Sequence, residues 1–302
     1  MKKNAYLILV HQNTYSLEVL LKLLDDEQND FFIHVDKKFN NFDYQKYSNA
    51  ISKSSIYYLK DDNRVDVVWG GYQQIEAEYE LLKEATNTGN YAYYHLLSGQ
   101  DLPLKSNKYI NNFFEKNKDK IFLNIEEIFD DDKNKFYKRV AYRRIFIKFR
   151  AKDQFISKIF VNIDRLYMIF QKYVLRRNLI AKNGIGRLAY GSQWFSFPQD
   201  VVDFLLSKEQ LIRDYFKNSF IPDELAFHTI LINSSYFKRI VNNNLRYIIF
   251  EDNSKFSSAH PKTWTGKDYN TLINSEKLFA RKFDENVDRS IIDRIYNFVK
   301  SF

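Results

Sequence analysis

The chain has 302 residues, 45% of them hydrophobic and 17% aromatic, which is ample material for a globular core. Cysteine is absent, and this excludes disulfides, zinc–thiolate sites, iron–sulfur clusters and a cysteine nucleophile. The net charge of +8 is uneven: residues 133–187 carry sixteen Lys or Arg against Asp153 and Asp164, so the remainder of the chain is net acidic.

Residues 4–11 (NAYLILVH) are a short, β-rich apolar run, and residues 16–24 (SLEVLLKLL) place apolar side chains at helical spacing behind a Ser16 cap. The apolar opening is far shorter than a signal peptide or the ~20 residues of a membrane span, so a cytoplasmic location is expected. Residues 30–36 (DFFIHVD) and 55–59 (SIYYL) read as further strands. Strands alternating with helices predict an α/β domain with a largely parallel sheet. Ligands of such sheets bind beyond the carboxyl ends of the strands, where His11 and Asp36 fall. Gly70-Gly71 precedes a helix over residues 72–85, and such a pair lets backbone approach an anion at a helix start. Trp69 beside it reads by default as a core or boundary aromatic. Residues 91–97 (YAYYHLL) predict a strand running into a loop over residues 98–104 (SGQDLPL). Asp101 in that loop reads first as a turn or cap residue, because the paired carboxylates that hold a cation against a diphosphate would need a second Asp nearby.

Residues 122–129 predict another strand ahead of the acidic turn Asp130-Asp131-Asp132. Within the basic block, residues 155–175 are helical in pattern, with Phe155, Ile159, Ile163, Tyr167 and Phe170 near one face and Lys158, Arg165 and Lys172 elsewhere. Two uses compete for this block, a wall of a substrate groove and a peripheral contact with an anionic membrane. No motif for nucleic acid accompanies it. Residues 191–197 (GSQWFSF) read as a strand, 200–206 as the start of a helix, 246–250 as a strand and 287–299 as a terminal helix. Without a repeat or a linker, a single domain is expected. Pro222 suits a first helical turn, which predicts a helix over residues 223–232. Asp223 and Glu224 then either complement the positive end of that helix or offer Glu224 as a general base.

Six segments occur in order: residues 33–37 (IHVDK), 68–71 (VWGG), 97–104 (LSGQDLPL), 191–195 (GSQWF), Pro222-Asp223-Glu224 with Phe227-His228-Thr229, and 278–284 (LFARKFD). Together they resemble glycosyltransferase family 14, the core-2/I-branching β-1,6-N-acetylglucosaminyltransferases and peptide O-xylosyltransferases. The resemblance implies a GT-A-type α/β fold, a mostly parallel central sheet flanked by helices, as one domain over residues 1–302. Its donor-binding half would cover about residues 1–130, the basic insertion about 133–187 and the acceptor half about 188–302. It implies inverting transfer of a sugar from a UDP-sugar to a hydroxyl of a glycan or lipid-linked glycan, with no metal ion or other cofactor. N-acetylglucosamine is the first candidate sugar and xylose the second. The membrane anchor, stem and cysteines of animal members are missing, which suggests a soluble or membrane-peripheral microbial enzyme of surface-polysaccharide assembly.

By the same resemblance, Glu224 falls on the catalytic base, and Arg281 and Lys282 on basic side chains that balance the departing diphosphate. Lys262 stands near the position of a further arginine. Val10, His11 and Asp36 match the uracil and ribose site, although His11 and His34 equally suit ordinary hydrogen bonds at strand ends. Trp69, Ser98, Gly99 and Gln100 lie near the donor, and Gln193, Trp194 and Asp101 near the acceptor or transferred sugar, while Asp223 remains a helix cap. A different class, a non-catalytic glycan- or lipid-binding module, is opposed by the presence of Glu224, Arg281 and Lys282.

Overall fold

The computed structural model describes residues 2–147, 154–251 and 260–302. Residues 148–153 of the basic block, and the side chains of Phe155 and His260, lie outside the described residues. The chain opens with β1 (Asn4–Val10), α1 (Tyr15–Leu24), β2 (Asn29–Val35), α2 (Tyr44–Ser48), β3 (Ser55–Tyr58), α3 (Gln73–Thr88), β4 (Tyr93–Ser98) and β5 (Asp101–Pro103). Next come α4 (Asn107–Lys116), β6 (Ile121–Leu123) and β7 (Glu127–Phe129), then the basic block with α5 (Tyr137–Ala141), α6 (Gln154–Tyr173) and α7 (Leu179–Asn183). They are followed by β8 (Leu188–Tyr190), β9 (Phe195–Pro198), α8 (Gln199–Ser207), α9 (Glu209–Phe216), α10 (Ala226–Ile232), β10 (Ile240–Asn242) and β11 (Arg246–Tyr247). The short β12 (Phe250–Glu251) and β13 (His260–Pro261), α11 (Tyr269–Ile273), β14 (Phe279–Arg281) and α12 (Glu285–Lys300) close it.

The central sheet has the order β10-β6-β9-β4-β1-β2-β3. Its pairs are parallel except where β9 runs against β4 and β6. Every residue of β2 and β4 is buried, as expected of strands covered on both faces. Alternation along β1 divides the apolar side chains between two cores. Leu7, with Phe32 and Leu96, packs among Ile75, Tyr79 and Leu82 of α3 and Val201 and Leu205 of α8. Tyr6 and Ile8, with Phe31 and Ile33, pack among Leu17, Leu20 and Leu24 of α1 and Ile291 and Ile295 of α12. The observed layering is a mixed α/β architecture, with a large, mostly parallel sheet flanked by helices.

Several expected elements change at their edges. Thr14, not Ser16, caps α1 by accepting from the Leu17 N–H, and the Ser16 hydroxyl donates instead to the Gly99 carbonyl at 2.7 Å. The strand expected over residues 122–129 is two, because β6 stays in the central sheet while β7 leaves it to pair with β8. The loop expected at 98–104 contains β5, which pairs antiparallel with β14 so that Asp101 lies opposite Arg281. In α6 the face carrying Ile159, Ile163 and Phe170 points outward, and among the described side chains of the helix the buried ones are Asp164 and Gln171.

Candidate active site

In the central sheet Val10 lies beside Val35 and Leu9 beside Ser98, so the chain leaves three parallel strands at one edge. A cavity of about 360 Å³ opens there. The strand ends contribute Leu9, Val10, His11, His34, Asp36 and Ser98, and later segments contribute Ser192, Gln193, Trp194, Asp223, Glu224 and Arg281. Trp69, Gly70, Gln74, Ile221 and Phe250 are among the rest of the wall. Nine residues expected at the site therefore meet in one cavity: Val10, His11, Asp36, Trp69, Ser98, Gln193, Trp194, Glu224 and Arg281. Gly99, Gln100, Asp101, Lys262 and Lys282 do not line it.

At the strand-end side the polar groups are fixed by local bonds. Asp36 accepts from the Lys38 backbone N–H at 2.9 Å and pairs with its ammonium at 3.2 Å. His34 Nε2 accepts from the Val65 N–H at 2.9 Å, and burial pushes its imidazole down to about 4, so it is neutral. Burial also lowers His11, helped by the positive charges of Lys282 and Arg281. Trp69 is 53% exposed and meets Phe220 edge-on, so of the core and boundary positions expected by default it is not the core one.

Arg281 is held from below. Its Nη1 donates to Asp101 Oδ1 at 2.8 Å and to Ser98 Oγ, and its guanidinium carbon lies 4.6 Å from the centroid of the Trp194 ring. Asp101 is completely buried and also accepts from the Ser98 N–H at 2.9 Å and the Ser98 hydroxyl at 3.0 Å. Those bonds offset the cost of burying its charge and leave no surface for a sugar, so the expected acceptor contact is corrected to a support for Arg281. The Lys262 ammonium is 2.6 Å from Asp268 and is diverted into that ion pair. The Gly99 carbonyl accepts from the Thr14 and Ser16 hydroxyls, and the Gln100 carbonyl from the Phe283 N–H, so both shape the strand end from behind the wall.

The expected helix over residues 223–232 is broken. Pro222–Glu224 form a single 3₁₀ turn, Leu225 departs from helical geometry at φ −129°, and α10 starts at Ala226. Asp223 makes no capping bond and instead lines the cavity, so its expected role as a cap is corrected as well. Three contacts pin the turn from remote parts of the chain. The Ile221 N–H donates to the Gly70 carbonyl at 2.8 Å, the Gly191 N–H donates to the Glu224 carbonyl at 3.0 Å, and Arg139 Nη1 donates to Glu224 Oε2 at 2.8 Å. Gly70 has φ +72°, and a Cβ there would sit 2.8 Å from the Phe220 ring. The Gly70-Gly71 pair thus lets the loop before α3 pack against the Glu224 turn, and Gly70 also lines the cavity.

The two carboxyls differ in their surroundings. Burial raises the Glu224 carboxyl above its usual range, and Arg139 opposes that rise. Asp223 is pushed up to about 7 by burial and then by the charge of Glu224, and its Oδ1 is buried without a hydrogen-bond partner. The pair therefore favours one proton on Asp223 and a charged Glu224 facing Arg139. Arg139, Asp223, Gln74 and Ser192 were not anticipated as site residues. Among the described residues, no three His, Asp or Glu side chains converge as metal ligands.

The fold and cavity define an α/β protein with a ligand site at the carboxyl ends of its parallel strands. Residues 4–275 match the model of the core-2/I-branching enzyme family, and the chain belongs to that family. Xylosyltransferase 2 of Rattus norvegicus is similar at 24% identity over 96% of this chain and 33% of its own length. The xylosyltransferase of Ciona intestinalis is 22% identical over 96% and 33%. The chain thus spans about a third of the length of the curated relatives it matches. Among solved structures, the galactosyltransferase LgtC in complex with donor and acceptor sugar analogs covers 98% of this chain and 96% of its own, at 6% identity and a TM-score of 0.41. Apo mouse xyloside xylosyltransferase 1 covers 77% and 83%, at 12% identity and a TM-score of 0.35.

Proposed function

We propose that the chain is an inverting glycosyltransferase that moves a sugar from a UDP-sugar to a hydroxyl of a glycan acceptor without a metal ion, in surface-polysaccharide assembly. The observation that carries this reading is the presence of a half-buried carboxylate, Glu224, and a rigidly held cation, Arg281, in the walls of one cavity. The acceptor oxygen attacks the anomeric carbon while the bond from that carbon to the β-phosphate oxygen breaks. Glu224 takes the hydroxyl proton, and the electron pair of the broken bond leaves with UDP. Burial makes Glu224 a stronger base than an exposed carboxylate, and Arg139 holds it charged and aimed. Arg281 balances the charge that develops on the diphosphate, and its bonds to Asp101 and Ser98 place it before the reaction begins. Lys282, close enough to lower His11, adds to the same positive field. The faces of Trp69 and Trp194 suit the C–H side of a sugar ring.

N-acetylglucosamine is the first donor sugar on the resemblance to the branching enzymes, and the names of the relatives favour xylose as the second. Turnover of a panel of UDP-sugars separates them. Activity is expected to survive EDTA, and loss with chelator that manganese restores would overturn the metal-free mechanism. Arg281→Ala is expected to weaken UDP binding about tenfold or more, since it removes a charge-assisted contact. No UDP binding and no turnover with any donor would leave a non-catalytic glycan-binding module instead.

A further inference from the structure

Helix α6 has its polar side inward. Asp164 and Gln171, seven residues apart, are fully buried, whereas Ile159, Ile163, Leu166, Phe170 and Tyr173 are exposed, Leu166 to 66% and Tyr173 to 68%. The inward pair fixes the rotation of the helix. Gln171 accepts from the Arg143 N–H and donates to the Arg143 carbonyl, each at 3.0 Å, and Asp164 accepts from the Ile145 N–H at 3.3 Å. The outward residues recur every three or four positions and so form one stripe. From Ile159 to Tyr173 it runs about 21 Å at 1.5 Å per residue.

The charges that α6 itself carries beside the stripe are basic, and Asp132 pairs with one of them, Lys172, at 3.4 Å. Lys158, Arg165 and Lys172 are seven apart and lie along one flank, and the sole acid of α6, Asp164, is buried. Exposed Arg176 continues the basic flank past the helix end. Among the described residues no helix is long and apolar enough to cross a membrane, so a bilayer contact by α6 would lie in the interface plane. We propose that the outward face of α6 docks the protein on an anionic lipid surface, the apolar stripe entering the acyl boundary and the basic flank meeting the headgroups. A second copy of this chain is a poorer occupant, because its own α6 brings the same positive flank and the exposed carboxylate beside it, Asp132, already pairs with Lys172. The docking orients the cavity as well: the segment that binds α6 begins at Arg143, four residues after the Arg139 that holds Glu224. Nothing in this inference depends on the sugar-transfer reading.

Co-sedimentation of the full chain with vesicles tests it. Binding is expected to vesicles of equal phosphatidylglycerol and phosphatidylcholine at low salt, to weaken as salt screens the headgroups, and to be absent on pure phosphatidylcholine. Leu166→Glu with Phe170→Glu is expected to cut the bound fraction about tenfold or more, and Lys158→Glu with Arg165→Glu to do the same. All four positions are exposed, so circular dichroism and the melting curve should be unchanged. No binding to anionic vesicles, or binding that both double variants retain, overturns the proposal. So does a concentration-dependent dimer that Leu166→Glu abolishes in a chain that ignores vesicles, which assigns the stripe to a second copy.

Discussion

Asp223 and Glu224 are neighbours in sequence, yet only Glu224 has a cation. Arg139 reaches Glu224 at 2.8 Å, while Asp223 Oδ1 is buried with no partner. The consequence belongs on the pH–rate profile. Arg139 lowers the Glu224 pKa against the upward push of burial, so Arg139→Ala is expected to raise it. The acid limb of kcat/KM should then move to higher pH, with a larger loss at pH 6 than at pH 8, and Arg139→Lys should restore part of it. An unmoved limb would show that Arg139 does not set the charge of Glu224. Glu224 itself was legible from the Pro222-Asp223-Glu224 motif. Arg139 was not, because it stands 85 residues away in a block of sixteen basic residues with nothing local to single it out.

Elements buried on both faces were the most legible. The runs that became β1, β2 and β4 are near-continuously apolar, and their ends were placed to within a residue or two. Short elements escaped where pairing overrode composition. Residues 98–104 hold Gly, Asp and Pro, which favour turns, yet pairing with β14 draws Asp101–Pro103 into a strand. In α6 the periodicity was legible but its facing was not, since an apolar stripe does not state whether protein covers it. Gly191 shows the same dependence on distant backbone. A Cβ there would lie 1.9 Å from the Asn124 carbonyl oxygen, so Gly191→Ala must displace either that strand end or the Glu224 turn it bonds. A loss of about 2–4 kcal/mol in urea unfolding is expected, with lower solubility of the variant, and wild-type stability would contradict the close approach.

Across the molecule, the sheet gathers chemistry that the sequence scatters. The ends of β1, β2 and β4, the Ser192–Trp194 segment, the Pro222–Glu224 turn and Arg281 on β14 come from distant parts of the chain and share one cavity. Motif order therefore disclosed the set of walls, and β14 pairing with β5 supplied what motif order could not, the buried Asp101 that holds Arg281. The proposed division of labour, a base on one segment and a diphosphate counter-charge on another, is separable by one variant. Glu224→Gln keeps the shape of the side chain and removes its charge. Turnover of the UDP-sugar is expected to fall by about 10²–10⁴ while UDP affinity stays nearly unchanged. Full turnover by Glu224→Gln would contradict the assignment of Glu224 as the base.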